Sequence, residues 1–208
     1  MREFLSPRMS GLHPPESLPG ATAAGERLAR AARERRRIVI YGDYDVDGIT
    51  ATAILWHALR LAGADVNYYV PSRFDEGYGL NGEALERLAA DGARVVITVD
   101  CGITAVAEAR RARELGIELI ITDHHEPKDD LPAADVLVHP RACGPSPNGD
   151  LCGAAVALKV AWALGRSLSA AERVSDAYRQ FLLDSMALAA LGLIAHVAPL
   201  TGENRVIA

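Results

Sequence analysis

Cysteine is scarce in this chain and follows no pattern. Cys101, Cys143 and Cys152 are an odd number at irregular spacing. That argues against a disulfide framework and fits a reducing, cytoplasmic setting. His139 with Cys143 and Cys152 matches no common zinc spacing. No run of about 18 apolar residues occurs, so no transmembrane helix is expected. The first residues lack the basic region and apolar stretch of a secretory signal. A cytoplasmic protein with no membrane partner is therefore expected. An excess of positive charge is also missing. The net charge of −5 argues against a broad basic face for nucleic acid. It leaves open a narrow groove whose acids are neutralised by bound metal ions. Aromatic residues make up only 5% of the chain, which leaves few platforms on which bases can stack. Half of the 208 residues are hydrophobic, so a sizeable core can form. The length suits one α/β domain, alone or with a small appendage.

The chain is organised around the stretch from Ile38 to Thr50. It opens with an apolar, β-branched run, Ile38-Val39-Ile40-Tyr41, which reads as a buried strand. Asp43, Asp45 and Asp47 follow at alternate positions between Gly42 and Gly48. An Ala-rich apolar run, 49–62, then reads as a helix. In open α/β sheets the crevice at a strand's carboxyl end is where ligands bind. Three neighbouring carboxylates there repel one another, and a divalent cation with oxygen ligands relieves the repulsion. Asp and Gly as simple turn formers give the blander alternative.

Strand and helix patterns alternate along the rest of the chain. Residues 1–20 hold four prolines and little periodicity, and read as a poorly ordered arm. A helix is predicted over 26–37. Its terminal Arg35-Arg36-Arg37 suits either phosphate contact or, more simply, a solvated helix end. Further strands are predicted over 66–70, 94–99, 117–122 and 135–138. Helices are predicted over 83–90, with Asn81 as cap, and over 105–115, 153–164 and 170–195. Ser169 with Glu172 reads as a capping box for the last of these. The Gly153-Ala154-Ala155 start suits either close approach of backbone N–H groups to an anion or tight helix packing. The expected fold is α/β: a mostly parallel, five-stranded sheet with helices on both faces. The chain stops at Ala208 with nothing to complete the fold, which reads as a truncated fragment.

Three of the strands end in acids or histidines: Asp43, Asp45 and Asp47 after 38–41, Asp100 after 94–99, and Asp123-His124-His125 after 117–122. In a parallel sheet those ends share one rim. Carboxylates and imidazoles converging on one rim are the donors from which metal sites are built. Turn chemistry explains one such strand end but not three.

These motifs resemble the DHH phosphoesterase superfamily and, within it, the bacterial RecJ-type single-strand exonucleases. The resemblance is carried by Gly42-Asp43-Tyr44-Asp45-Val46-Asp47-Gly48, by Arg73-Phe74 with Glu76-Gly77-Tyr78-Gly79-Leu80, and by Val99-Asp100-Cys101-Gly102-Ile103-Thr104. Thr122-Asp123-His124-His125, Gly153-Ala154-Ala155-Val156-Ala157 and 191–200 continue it in the family's order. The resemblance implies a two-metal phosphodiesterase, dependent on Mn2+ or Mg2+. It degrades single-stranded DNA from the 5′ end in repair and recombination, and a single-strand-binding protein is an expected partner. By position, Asp45 and Asp100 hold one metal; Asp47, Asp100 and His124 hold the other, with Asp100 bridging. His125 faces the scissile phosphate, and Asp43 and Asp123 support the site. Arg73 contacts a phosphate or the 5′ end; Gly153 and Ala154 are taken as substrate-binding. The domain is expected over 21–208.

Two departures from the family pattern stand out. His196 occupies a position where the family usually has an aspartate ligand. The second lobe, which usually carries a further substrate-binding motif, is absent. Two other functions therefore compete. One is a phosphodiesterase or phosphatase of the same superfamily acting on short oligonucleotides or cyclic dinucleotides. The other is a metal-poor, non-catalytic scaffold.

Overall fold

The computed structural model describes residues 2–74, 76–169 and 174–208, with residues 2 and 3 described as backbone only. Five strands form one sheet: β1 (Ile38–Tyr41), β2 (Val66–Tyr69), β3 (Val95–Val99), β4 (Glu118–Thr122) and β5 (Val136–Val138). Their order is β2-β1-β3-β4-β5, and every pair is parallel. The expected sheet is thus found, and it is wholly parallel. The chain runs from β1 outward to β2, then crosses back to β3. The crevice where the order reverses lies between β1 and β3, at their carboxyl ends.

Helices cover both faces, as the unbroken apolar strands require. Alternate strand residues point to opposite sides. Ile38, Ile40, Ile97 and Ile120 pack under α2 (Ala21–Arg33), α3 (Val46–Leu61), α6 (Gly153–Leu168) and α7 (Asp176–Ala195). Val39, Tyr41, Val96 and Ile121 pack under α4 (Gly82–Ala90) and α5 (Val106–Glu114) on the other face. Among the described residues no helix is long and apolar enough to cross a membrane.

Several element ends differ from the sequence expectation. Helix α2 starts at Ala21, after Gly20 in the left-handed region, and ends at Arg33. The basic cluster is not simply solvated: Arg36 and Arg27 reach Glu118 at 2.5 and 2.7 Å across the sheet's lower edge. Asn81 caps α4 as expected, accepting from Ala84 N at 3.1 Å. Ser169 closes α6 instead of opening α7, and Ser175 caps α7 through Tyr178 N. Glu172, the other half of the expected capping box, lies outside the described residues. A short α8 (Gly202–Ile207) was not foreseen.

The N-terminal segment differs most. A short α1 (Arg2–Leu5) and two 3₁₀ turns, Met9–Gly11 and Pro15–Ser17, precede α2. Pro15 and Leu18 are buried. Lys159 and Glu203 form a buried ion pair that also holds the His13 peptide: Lys159 donates to its carbonyl and Glu203 accepts from its N–H. The expectation of a loose arm therefore gives way to a packed segment over 9–20. Gly20 makes this testable. With φ +81°, an added Cβ meets the Leu137 carbonyl oxygen at 2.0 Å. Gly20→Ala is expected to lower stability by about 2–3 kcal/mol. A urea melt reads the change directly; an unaltered midpoint would show that the segment is not held against β5.

Candidate metal centre

The β1 end is shaped by helix capping. Asp45 is the N-cap of α3 and accepts from Gly48 N at 2.9 Å, which starts the helix three residues before the apolar run. Asp47, in the first turn, is 1% exposed. Its carboxylate meets the first turn of α6: Oδ2 accepts from Gly153 N at 2.7 Å, and Oδ1 from Ala154 N at 2.8 Å. The anion at this helix N-terminus is thus an internal carboxylate. That replaces the expectation that Gly153 and Ala154 present these N–H groups to substrate. Close approach demands residues without side chains. A Cβ at Gly153 would lie 2.6 Å from Asp100 Oδ1, and one at Gly192 would lie 2.5 Å from Asp47 Oδ1. Gly192, inside α7, was not singled out by the sequence reading. It lies in the stretch 191–200 that carries the resemblance, and its local signal is a glycine inside a helix.

At the β3 end, Asp100 has φ +63° and is 1% exposed. Asp tolerates the left-handed region better than most residues, yet such a conformation persists only where its surroundings enforce it. Thr98 Oγ1 donates to the Cys101 carbonyl at 2.7 Å, and Tyr78 Oη donates to the Asp100 carbonyl at 3.1 Å. The turn directs the Asp100 side chain toward β4.

The β4 end is organised by Asp123. Its Oδ1 accepts from His124 N at 2.7 Å and His125 N at 3.1 Å, and lies 2.8 Å from His125 Nδ1. Oδ2 accepts from Ile103 N at 2.8 Å. Burial opposes charge on Asp123, but the His125 and Ile103 hydrogen bonds outweigh it and lower its pKa. The hydrogen bond to Asp123 raises the pKa of His125. Tyr78 Oη sits 3.0 Å from His125 Nδ1. His139 supports the same loop. Its Nδ1 accepts from Arg141 N and Ala142 N, both at 3.0 Å, so its Nε2–H donates to the His125 carbonyl at 2.8 Å. Both ring nitrogens are thus occupied by the backbone, in keeping with the sequence argument against a zinc site there.

The three strand ends meet. Three overlapping sets each have ligand atoms within 4.8 Å of one another: Asp43, Asp45 and Asp100; Asp47, His124 and His196; Asp100, His124 and His125. Asp43 stands among the donors, where the sequence reading had it as support. His196 reaches the rim from the end of α7, its ring centroid 4.5 Å from that of His124. Arg73 is exposed and stacks over Tyr44, which lies between Asp43 and Asp45, at 5.3 Å.

The chemistry of these donors fits a divalent cation. Buried polar atoms are normally hydrogen-bonded. Among the described residues, Asp43 Oδ1, Asp100 Oδ1 and His124 Nε2 are buried without a partner. His124 Nε2 and Asp100 Oδ1 are 3.0 Å apart but lack hydrogen-bond geometry. Burial, then repulsion from Asp47 and Asp45, pushes Asp100 up to about 10. Burial and the charge of His125 push His124 down to about 4, leaving a neutral imidazole with a lone pair. Burial also raises Asp43. A cluster that is strained when its acids ionise, with lone pairs facing one another, is what a cation stabilises.

Comparisons with known proteins agree with this geometry. The single-stranded-DNA-specific exonuclease RecJ of Bacillus subtilis is 42% identical over 208 residues, all of this chain and 25% of that protein. The chain thus spans about a quarter of that relative's length. A crystal structure of exonuclease RecJ bound to manganese superposes with a TM-score of 0.81 at 41% identity, covering 91% of this chain and 46% of that one. RecJ of Thermus thermophilus in complex with Mn2+ gives 0.80 at 36% identity, covering 99% and 28%. The profile of the DHH family, N-terminal domain, matches residues 37–190. That match takes in all five strands and the acids and histidines at the tips of three of them, so the chain belongs to the DHH family.

Proposed function

We propose that this chain carries the metal-dependent phosphodiesterase domain, residues 21–208 with the segment over 9–20 packed on it, of a 5′–3′ single-stranded-DNA exonuclease acting in repair and recombination. The observation that carries the reading is the pair Asp100 Oδ1 and His124 Nε2, buried, unpartnered and 3.0 Å apart where three strand ends meet. The named relatives support the choice of substrate. A cytoplasmic location and a single-strand-binding partner belong to the same reading.

Asp43, Asp45, Asp47, Asp100, His124 and His196 would hold two divalent cations, Mn2+ or Mg2+. When bound, such a pair lowers the pKa of an attacking water and offsets charge on the phosphate. The protein's own groups do the rest. Asp123 anchors His125 through Nδ1, which leaves Nε2 to donate to a phosphoryl oxygen as negative charge grows there. Tyr78 and His139 hold the same loop still. Arg73, stacked on Tyr44, supplies a positive charge for a phosphate or the 5′ end. Two clefts, of about 300 and 330 Å³, are each lined by His125.

A length series of 5′-phosphorylated oligonucleotides in Mn2+, with blunt duplex and cyclic dinucleotides alongside, tests the reading. Stepwise release of nucleotides from the 5′ end of long single strands is expected, with little attack on duplex. Hydrolysis confined to the shortest oligonucleotides or to cyclic dinucleotides would contradict it.

A further inference from the structure

Of the donor sets at the rim, the two that share no residue differ in chemistry. Asp43, Asp45 and Asp100 present oxygen alone, whereas Asp47, His124 and His196 present two imidazoles and one carboxylate. Each set has a buried atom without a partner: Asp43 Oδ1 and Asp100 Oδ1 in the first, His124 Nε2 in the second. The His124 side chain is 7% exposed. The formal charges also differ, three negatives against one.

Asp47 is a weakened donor. Both of its oxygens already accept an N–H from the start of α6, leaving one lone pair on each for a cation. Nitrogen therefore dominates this half of the rim. His196 is directed there by a strained turn. Its N–H donates to the Gly192 carbonyl at 2.8 Å, and Val197 follows with φ +59°. A β-branched residue in the left-handed region is an outlier of the kind found at ligand clamps.

We infer that the centre is asymmetric: the Asp47–His124–His196 position selects a transition cation such as Mn2+, Fe2+ or Zn2+ and discriminates against Mg2+, while the three-carboxylate position accepts Mg2+. The inference rests on the phosphodiesterase reading and names the metals of that same site. Mg2+ demands octahedral oxygen ligands and dehydrates reluctantly. Imidazole suits zinc and iron, and two histidines with one carboxylate is a donor set that both metals use. His196 decides the outcome, because an aspartate there would make the second set two carboxylates and one imidazole.

Co2+ is the probe, titrated into the whole chain in millimolar Mg2+ and followed by visible absorption and calorimetry. One equivalent is expected to bind despite the Mg2+, with a d–d spectrum showing nitrogen ligation. Loss of even an outer-shell partner weakens a metal about 10- to 100-fold, so His196→Ala should weaken Co2+ by at least tenfold and change its spectrum. His196→Asp should allow Mg2+ to displace the Co2+. Equal displacement by Mg2+ from the native chain and from His196→Asp would overturn the inference. So would an unchanged Co2+ affinity and spectrum in His196→Ala. Failure of the native chain to bind either cation would overturn the metal reading as well.

Discussion

Asp100→Asn is expected to raise the melting temperature of the metal-free chain by about 5 °C, equivalent to ~2 kcal/mol. It should at the same time abolish cation binding at the Asp43–Asp45–Asp100 position and reduce cleavage at least about a thousandfold, or ~4 kcal/mol. The first effect follows from linkage. The folded-state pKa of Asp100 is pushed up to about 10 by burial and then by Asp47 and Asp45. The unfolded value is about 3.9. Between these pH values the folded chain binds a proton that the unfolded chain has released. Stability of the metal-free chain therefore falls as pH rises through that window. Asparagine cannot ionise and escapes the loss, and it keeps the tolerance for φ +63° that alanine lacks. The second effect follows from the donor sets, since Asp100 belongs to two of the three. A cation at a hundred times its Kd adds about 2.7 kcal/mol to native stability, and the variant should lose the share that comes from the Asp43–Asp45–Asp100 position. Thermal melts with and without Mn2+ give both results. A metal-induced shift as large in Asp100→Asn as in the native chain would remove Asp100 from the centre.

Gly192→Ala is expected to destabilise the protein, against the usual sign for a helix interior. Alanine normally gains about 1 kcal/mol over glycine there. Here the new Cβ would lie 2.5 Å from Asp47 Oδ1, 2.7 Å from Ala154 Cβ and 3.1 Å from Thr50 Oγ1. Overpacking of this kind costs about 1–3 kcal/mol, more than the propensity gain. The displaced carboxylate is also a donor, so cation affinity should fall about tenfold or more. Denaturant melts and calorimetry with Mn2+ read the two effects separately. A more stable variant with native cation affinity would show that α7 does not press on Asp47.

The sheet was legible because β1, β3 and β4 are short apolar runs rich in β-branched residues, each followed by Gly or Asp. Convergence of the acids followed from parallel order alone: if β1, β3 and β4 point the same way, their last residues share a rim. What was hidden depends on contacts distant in sequence. Nothing local to Gly153 shows that its N–H faces Asp47, 106 residues earlier. Spacing argues against His139 as a zinc ligand, but nothing local shows that both its ring nitrogens bind backbone. Residues 9–20 looked loose because 3₁₀ turns leave no helical period. Their anchors, Leu137, Lys159 and Glu203, lie far along the chain. Tyr78 stood in a recognised motif, but its hydroxyl links the β3 and β4 ends only in three dimensions.

The central claim is that the three strand ends form one two-cation centre. Anomalous diffraction from crystals of the chain grown in Mn2+ tests it most directly. The account predicts two peaks, one within about 2.0–2.6 Å of carboxylate oxygens of Asp43, Asp45 or Asp100, the other at a similar distance from Asp47, His124 and His196. Strong peaks elsewhere on the surface, with the rim empty and His124 Nε2 still unpartnered, would contradict it.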